Sequence, residues 1–333
     1  MKRLPLLLLG GALLAGCGAT VEDTAPSASS GPPATVTNCG APLTVPGPPS
    51  RVVVNDTGTA EILFALGLTD RVVGYTTYDG KHVDYNTSPW KADFDRAPSL
   101  GTAFTRETIQ AARPDFVFAG WNYGFKETTG VTPDWIRGIG AVPYQLTEAC
   151  RQAGSTKRGI MPPLDALFAD LANLGTLFGV PERAEQLIAE YRARIDKVRT
   201  SSAPATKKAR VFLFDSASPD PFTSGRTGTP QAIIENAGGE NVFADLDDSW
   251  TTASWEAAAQ RDPEVIAIVD YGVGPENTPE AKLTQLRSQP LMANTTAVRE
   301  GNVVVIPYAG WVEGPRTPGS VETLGAYLRS KGF

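Results

Sequence analysis

Rings and guanidinium groups gather in the segments that follow short apolar runs, a pattern suited to grasping a ring-bearing, acidic solute. Four of the six tryptophans, Trp90, Trp121, Trp250 and Trp311, fall in such segments. Tyr75, Tyr78 and Tyr123 stand beside them in the first half of the chain. The second half adds Phe222, Tyr271 and Tyr308, with Ser224, Arg226 and Arg316 as polar partners. Aromatic faces offer stacking area and arginine a fixed fork for acidic groups. These side chains form the candidate ligand-binding set.

Catalysis finds no comparable constellation. His82 is the single histidine, so a histidine-based triad has no second candidate. Ser224-Gly225 lacks the Gly-x-Ser-x-Gly frame of a nucleophile elbow, and no phosphate-binding glycine pattern follows a strand. A bare metal ion wants several His or Cys ligands, which this chain does not offer. No catalytic residue, cofactor or metal ligand is expected, and the chain is not read as an enzyme.

The elements that must hold these residues alternate. Residues 51–54, 71–75, 115–119 and 142–146 read as strands, separated by helices over 60–66, 105–112 and 133–139. Residues 164–178 are helical. Residues 181–199 then run without a breaker, with Ala184, Leu187, Ile188, Tyr191, Ile195 and Val198 on a helical stripe. At about 1.5 Å per residue that helix approaches 30 Å, long enough to join two lobes. Alternation resumes with strands over 209–214, 265–269 and 302–307, and helices over 230–237, 254–261, 281–288 and 320–330. The expected fold is α/β: two Rossmann-like lobes joined by a long rigid helix. The expected boundaries are an N-terminal lobe over 41–163, a helical connection over 164–203 and a C-terminal lobe over 204–333.

The beginning of the chain speaks to compartment. Lys2 and Arg3 precede an apolar run over 4–15, too short to span a bilayer and shaped like a signal-peptide core over 1–16. Residues 18–36 are rich in Ala, Ser, Thr, Pro and Gly and read as tether, so 17–40 is expected to be a flexible leash. Removing two cations with the signal moves the formal charge from −6 to −8. Such acidity argues against nucleic acid and anionic membrane surfaces as partners. Cys39 and Cys150 remain as a pair. An oxidising compartment permits a disulfide between them, and two buried free thiols are the alternative.

Several stretches, in order, carry a family likeness. Leu14-Ala15-Gly16-Cys17 resembles the bacterial lipobox, which implies lipidation of Cys17. Pro49-Ser50-Arg51-Val52-Val53 with Glu61-Ile62-Leu63-Phe64-Ala65-Leu66-Gly67 resembles the opening of class III periplasmic solute-binding proteins for iron-siderophores, haem and cobalamin. Ala112-Arg113-Pro114-Asp115-Phe116-Val117 is similar to their helix-to-strand junction. The second half matches through Pro221-Phe222-Thr223-Ser224-Gly225, Gly238-Gly239-Glu240-Asn241-Val242-Phe243 and Asp262-Pro263-Glu264-Val265-Ile266. The resemblance covers roughly residues 49–328. It implies a monomeric lipoprotein at the outer face of the cell membrane, holding a small molecule between two lobes and feeding an ABC permease dimer. By the same resemblance Glu107 and Glu256 would dock onto that permease. A ferric siderophore is the favoured ligand; cobalamin, haem and a deazaflavin cofactor precursor are alternatives, as is a sensing or scaffolding lipoprotein. Residues 79–99 and 125–133 match no family pattern, and these loops are expected to set specificity.

Overall fold

The computed structural model describes residues 31–77, 85–201, 207–272 and 274–333. Tyr78, His82, Cys17 and the expected signal segment lie outside the described residues.

The N-terminal lobe is built on a parallel sheet of β3 (Val52–Asn55), β4 (Val72–Thr76), β5 (Phe116–Trp121) and β7 (Val142–Gln145), in the order β4-β3-β5-β7. A short β6 (Gly124–Phe125) extends from β5. β3 and β5 are buried along their whole length, as expected of strands covered on both faces. Beside β7, with Asn38 bonded to Gln145, stands an antiparallel hairpin of β1 (Ala34–Asn38) and β2 (Ala41–Val45), joined through Cys39 and Gly40. Part of the segment read as tether is therefore paired strand. Its two turn residues both have positive φ, 49° and 78°, the requirement of a tight two-residue hairpin.

The C-terminal lobe repeats the plan with β8 (Ala209–Phe214), β11 (Gly239–Asn241), β13 (Val265–Asp270) and β14 (Val303–Pro307), parallel in the order β11-β8-β13-β14. A second, antiparallel sheet of β9 (Ser216–Ala217), β10 (Pro221–Ser224) and β12 (Trp250–Thr252) rises beside it. Phe222, Ser224 and Trp250 are expected in segments that follow short apolar runs. The structure instead makes Phe222, Ser224 and Trp250 strand residues, in register Phe222 with Thr252 and Ser224 with Trp250.

The helix Pro181–Ser201 joins the lobes. Ala184, Leu187 and Tyr191 enter the N-lobe core, while Ile195 and Val198, farther along the same stripe, enter the C-lobe core. One amphipathic face thus belongs to two hydrophobic cores. Bending this helix would cost burial in both. The chain is a mixed α/β molecule of two Rossmann-like lobes on a common strut.

Candidate functional site

Parallel strands aim their carboxyl ends one way, and in open α/β sheets ligands gather beyond those ends. Six side chains follow strand ends here and meet between the lobes. Asp56 follows β3, Tyr123 follows β5 and Glu148 follows β7; Asp215, Tyr271 and Tyr308 directly follow β8, β13 and β14. A cavity of about 240 Å³ opens among them, lined by Asn122, Tyr123, Arg158, Asp215, Phe222, Trp250, Tyr271, Tyr308 and Val312.

Its rings are paired and tethered. Phe222 stacks on Trp250 with centroids 5.9 Å apart and planes 20° apart. Tyr271 stacks on Tyr308 at 5.0 Å and 22°. The polar end of three of them is held: Tyr271 donates to Asp215 at 2.7 Å, Tyr308 to Asp56 at 2.8 Å, and Trp250 Nε1 to Glu148 at 3.0 Å. Tyr123 is positioned by backbone. Asn55 Nδ2 donates to its carbonyl at 2.6 Å, and a Cβ on Gly120 would lie 2.0 Å from its ring. Only glycine at 120 lets that ring lie flat on the strand end.

Beneath the rings, buried acids join the lobes. Glu61, fully buried, receives Arg316 Nε at 2.8 Å. Glu148 accepts from the Thr229 amide at 3.0 Å and from its hydroxyl. The Glu148 amide in turn donates to Glu313 at 2.9 Å. Glu313 also shares a hydrogen bond with Asp170, itself bound by Tyr144 and by the Thr147 amide at 2.8 Å. No donor from the other described residues reaches Glu313 Oε1. Burial, then the Asp170 carboxylate, pushes the Glu313 pKa well above its usual value. Burial raises Asp56 to about 6, against the lowering bonds from Gly58 and Tyr308. It raises Glu61 and Glu148 as well, opposed by Arg316 in one case and Thr229 in the other.

Of the sequence-predicted ligand residues, Tyr123, Phe222, Trp250, Tyr271 and Tyr308 come together in this cleft. The others among the described residues do not line it. Trp311 is fully buried in the C-lobe core, and Tyr75 packs edge-on to Phe94 at 5.2 Å inside the N-lobe. Trp121 lies under the Arg151 guanidinium at 4.0 Å. Ser224 donates to the Ser249 carbonyl at 2.7 Å, holding β10 to β12. Arg226 is spent on Asp247, 2.8 Å away on the outer surface, and Arg316 on Glu61. Trp90 and Arg316 face a separate groove against the strut.

Sequence reasoning missed Arg158 and Asp215. Asp215 was within reach, since it directly follows a strand the reading had found. Arg158 was not, because residues 151–162 show no periodicity. What holds that segment is a disulfide between Cys39 and Cys150, with Cα atoms 5.2 Å apart. The pairing, open against two free thiols, is thus formed, and it ties the hairpin turn to the start of the segment. Farther along, the Arg158 amide donates to Asp248 at 3.0 Å and its guanidinium to the Trp250 carbonyl.

Glu107 and Glu256 both sit in the first turn of a short helix and are exposed. Thr105 caps one helix through the Thr108 amide and Ser254 the other through the Ala257 amide. Each helix leads into a parallel strand, so its N-terminus lies at the cleft end of its lobe.

A family model described as periplasmic binding protein matches residues 52–309. A cobalamin-binding protein of Halobacterium salinarum is 25% identical over 268 residues, 79% of this chain and 65% of that protein. This chain therefore spans somewhat less than two thirds of the halobacterial relative's length. A vitamin B12-binding protein of Yersinia pestis is 27% identical over 218 residues, 66% of this chain and 69% of the relative. Among solved structures, a periplasmic binding protein from Veillonella parvula superposes with a TM-score of 0.74 at 24% identity, covering 90% of this chain and 98% of that one. A structure from an ABC-type Fe3+-hydroxamate transport system of Saccharomonospora viridis gives 0.72 at 23% identity, with 88% and 98% covered. At such identity these two likenesses speak for the fold. The family match runs from the first parallel strand of one lobe past the last of the other, and this chain belongs to the class III periplasmic binding proteins.

Proposed function

We propose that this protein is a lipid-anchored capture protein that holds a ring-bearing small molecule between its lobes and passes it to an ABC permease. The convergence of five aromatic side chains from both lobes over the strand ends carries this reading. The lobes meet through buried, hydrogen-bonded acids, so the rings stand at a preset spacing and little ordering remains to be done when ligand arrives. The anchor is Cys17, and a Cys17→Ser chain is expected in the medium rather than in the membrane fraction.

The ferric siderophore favoured by composition depended on Arg226 and Arg316 beside the rings. With both engaged elsewhere, Arg158 is the cation lining the cleft among the described residues, and it too is bonded, to the Trp250 carbonyl and to Asp248 at 3.4 Å. Cobalamin is the second reading, favoured by the two curated relatives that bind it by name. Docking would use Glu107 and Glu256 against arginines of the permease. The deciding experiment is calorimetry on the soluble protein lacking residues 1–17, with ferric hydroxamate and catecholate chelates, haem, cobalamin and a deazaflavin. Binding that weakens at least tenfold in Phe222→Leu supports capture in this cleft; binding indifferent to Phe222 and Trp250 contradicts it. Glu107→Lys with Glu256→Lys should abolish uptake and leave that affinity intact.

A further inference from the structure

Two consecutive backbone amides each hold a carboxyl at the lobe boundary. The Thr147 amide donates to Asp170 at 2.8 Å and the Glu148 amide to Glu313 at 2.9 Å. Asp170 stands on the helix Pro163–Phe178, whose apolar face belongs to the N-lobe core. Glu313 comes from the C-terminal lobe, between the turn Tyr308–Gly310 and the helix Thr317–Ser330. One acid from each side is thus gathered on a single turn. Both are fully buried, and their carboxyls lie within hydrogen-bonding reach of each other.

The surroundings do not neutralise two charges. Asp170 accepts from the hydroxyls of Tyr144 and Thr147 as well as from the amide. Glu313 Oε2 takes the Glu148 amide, while Oε1 finds no donor among the other described residues. The titratable groups around the pair are mostly acids and phenols: Tyr144 from β7, Tyr123 after β5 and Glu148 on the turn itself. The helix Thr57–Ala65 packs on the Glu313 backbone through Gly58 and brings Asp56 and Glu61. The cations of this boundary are committed, Arg158 to Asp248 and the Trp250 carbonyl, Arg316 to Glu61. Two carboxylates side by side in a buried site repel strongly, and the site relieves this by keeping a proton. A carboxyl that keeps its proton is also the one donor able to satisfy Glu313 Oε1 or to face Asp170.

We infer that Glu313 and Asp170 share one proton and with it form a latch between the lobes, shut while the proton is held and released when the proton is lost to solvent. Neutral Glu313 donates to the Asp170 carboxylate through its otherwise unpartnered oxygen and accepts the Glu148 amide through the other. Once both are ionised, they repel across the boundary, and the segment carrying Glu313 must withdraw from the Thr147–Glu148 turn. That turn also carries the Glu148 carboxylate that holds Trp250 in the cleft wall, so loss of the proton loosens the cleft as well. The latch does not depend on which solute the cleft takes.

Infrared spectroscopy and thermal melting of the ligand-free protein lacking residues 1–17 test it. At neutral pH the protein should show the carbonyl stretch of a buried neutral carboxyl, and Glu313→Gln should lose that band. Burial and Asp170 raise the folded pKa of Glu313, so the stability it confers is complete below the unfolded value and fades as pH rises through the folded one. The melting temperature of the native chain should accordingly fall from neutral to alkaline pH. Glu313→Gln keeps both hydrogen bonds without a proton to lose; its melting temperature should fall less and end above the native one. Spin labels at Glu107→Cys and Glu256→Cys, one on each lobe, should move apart at alkaline pH in the native background and stay in place with Glu313→Gln. A band untouched by Glu313→Gln, or equal melting slopes, overturns the shared proton. A label distance independent of pH overturns the latch. Should Glu313→Gln fail to fold, the native band decides: it must fade over the range in which the melting temperature falls, and a band that persists throughout overturns the inference.

Discussion

The two lobes share a plan and differ in what they bring to their common boundary. Most of the boundary acids, Asp56, Glu61 and Glu148, belong to the N-terminal lobe. Their donors, Tyr308, Arg316, Thr229 and Trp250, belong to the C-terminal lobe, as do all the cleft rings but Tyr123. One lobe is an acceptor surface and the other a donor and aromatic surface. Glu313, on the donor side, is the exception, and it is the acid whose neutral form burial favours most plainly. The division of labour explains how rings can face a ligand without swinging: Tyr271, Tyr308 and Trp250 are pinned by their polar ends to carboxylates below.

Breaking that complementarity at its strongest point should have the largest effect. Arg316→Ala leaves Glu61 buried with Ser88 as its remaining side-chain donor, and about 3–5 kcal/mol of stability should be lost. Chemical denaturation measures it. Adding Glu61→Gln to that variant should restore part of the loss; no restoration would mean the arginine acts by packing alone. The covalent tie comes next. The Cys39–Cys150 bond closes a stretch 111 residues apart, and replacing both cysteines with alanine should cost about 2–4 kcal/mol, read by the same denaturation.

Proton uptake sharpens the comparison further. Asp56 has a folded pKa of about 6 against 3.8, and Glu61, Glu148, Asp170 and Glu313 are raised by the same burial. A raised folded pKa means the folded form holds protons the unfolded chain releases, so the stability they confer is complete below the unfolded value and fades as pH rises through the folded one. The melting temperature should therefore climb as pH falls from 7.5 toward 5, and Asp56→Asn should flatten part of that climb. A melting temperature that falls steadily over this window would contradict the assignment. The smallest effect lies at the lobe ends, where Thr105→Ala removes the cap on the Glu107 helix and should cost about 1 kcal/mol.

Strands, helices and the strut were legible because they obey periods. Ala184 through Val198 repeats every helical turn, β5 holds no polar side chain except the Trp121 indole, and β3 is apolar up to its last residue, Asn55. The hairpin β1–β2 was hidden by composition: small residues suggested a tether, although Ala34-Thr35-Val36-Thr37 alternates in burial and Cys39-Gly40 makes a two-residue turn. The site was half legible. A residue's place after a strand located Tyr123, Tyr271 and Tyr308 at the cleft, because the fold itself aims those positions there. Ring chemistry alone misassigned Trp311 and Tyr75, since a ring in a loop packs inward as readily as outward. The partners of Arg226 and Arg316 could not be read from the chain, least of all Glu61, 255 residues from Arg316.

In the proposed capture cleft the lobes already stand at their working distance. Hydrogen–deuterium exchange, recorded with and without the tightest-binding ligand of the calorimetric series, addresses that claim directly. New protection should appear in 120–125, 156–160, 215–224 and 248–252 and around Tyr271 and Tyr308, while the strut and the peptides holding Glu61 and Arg316 stay as slow as before. Protection centred on the groove by Trp90 and the strut, or a ligand-dependent slowing throughout the lobe boundary, would contradict it.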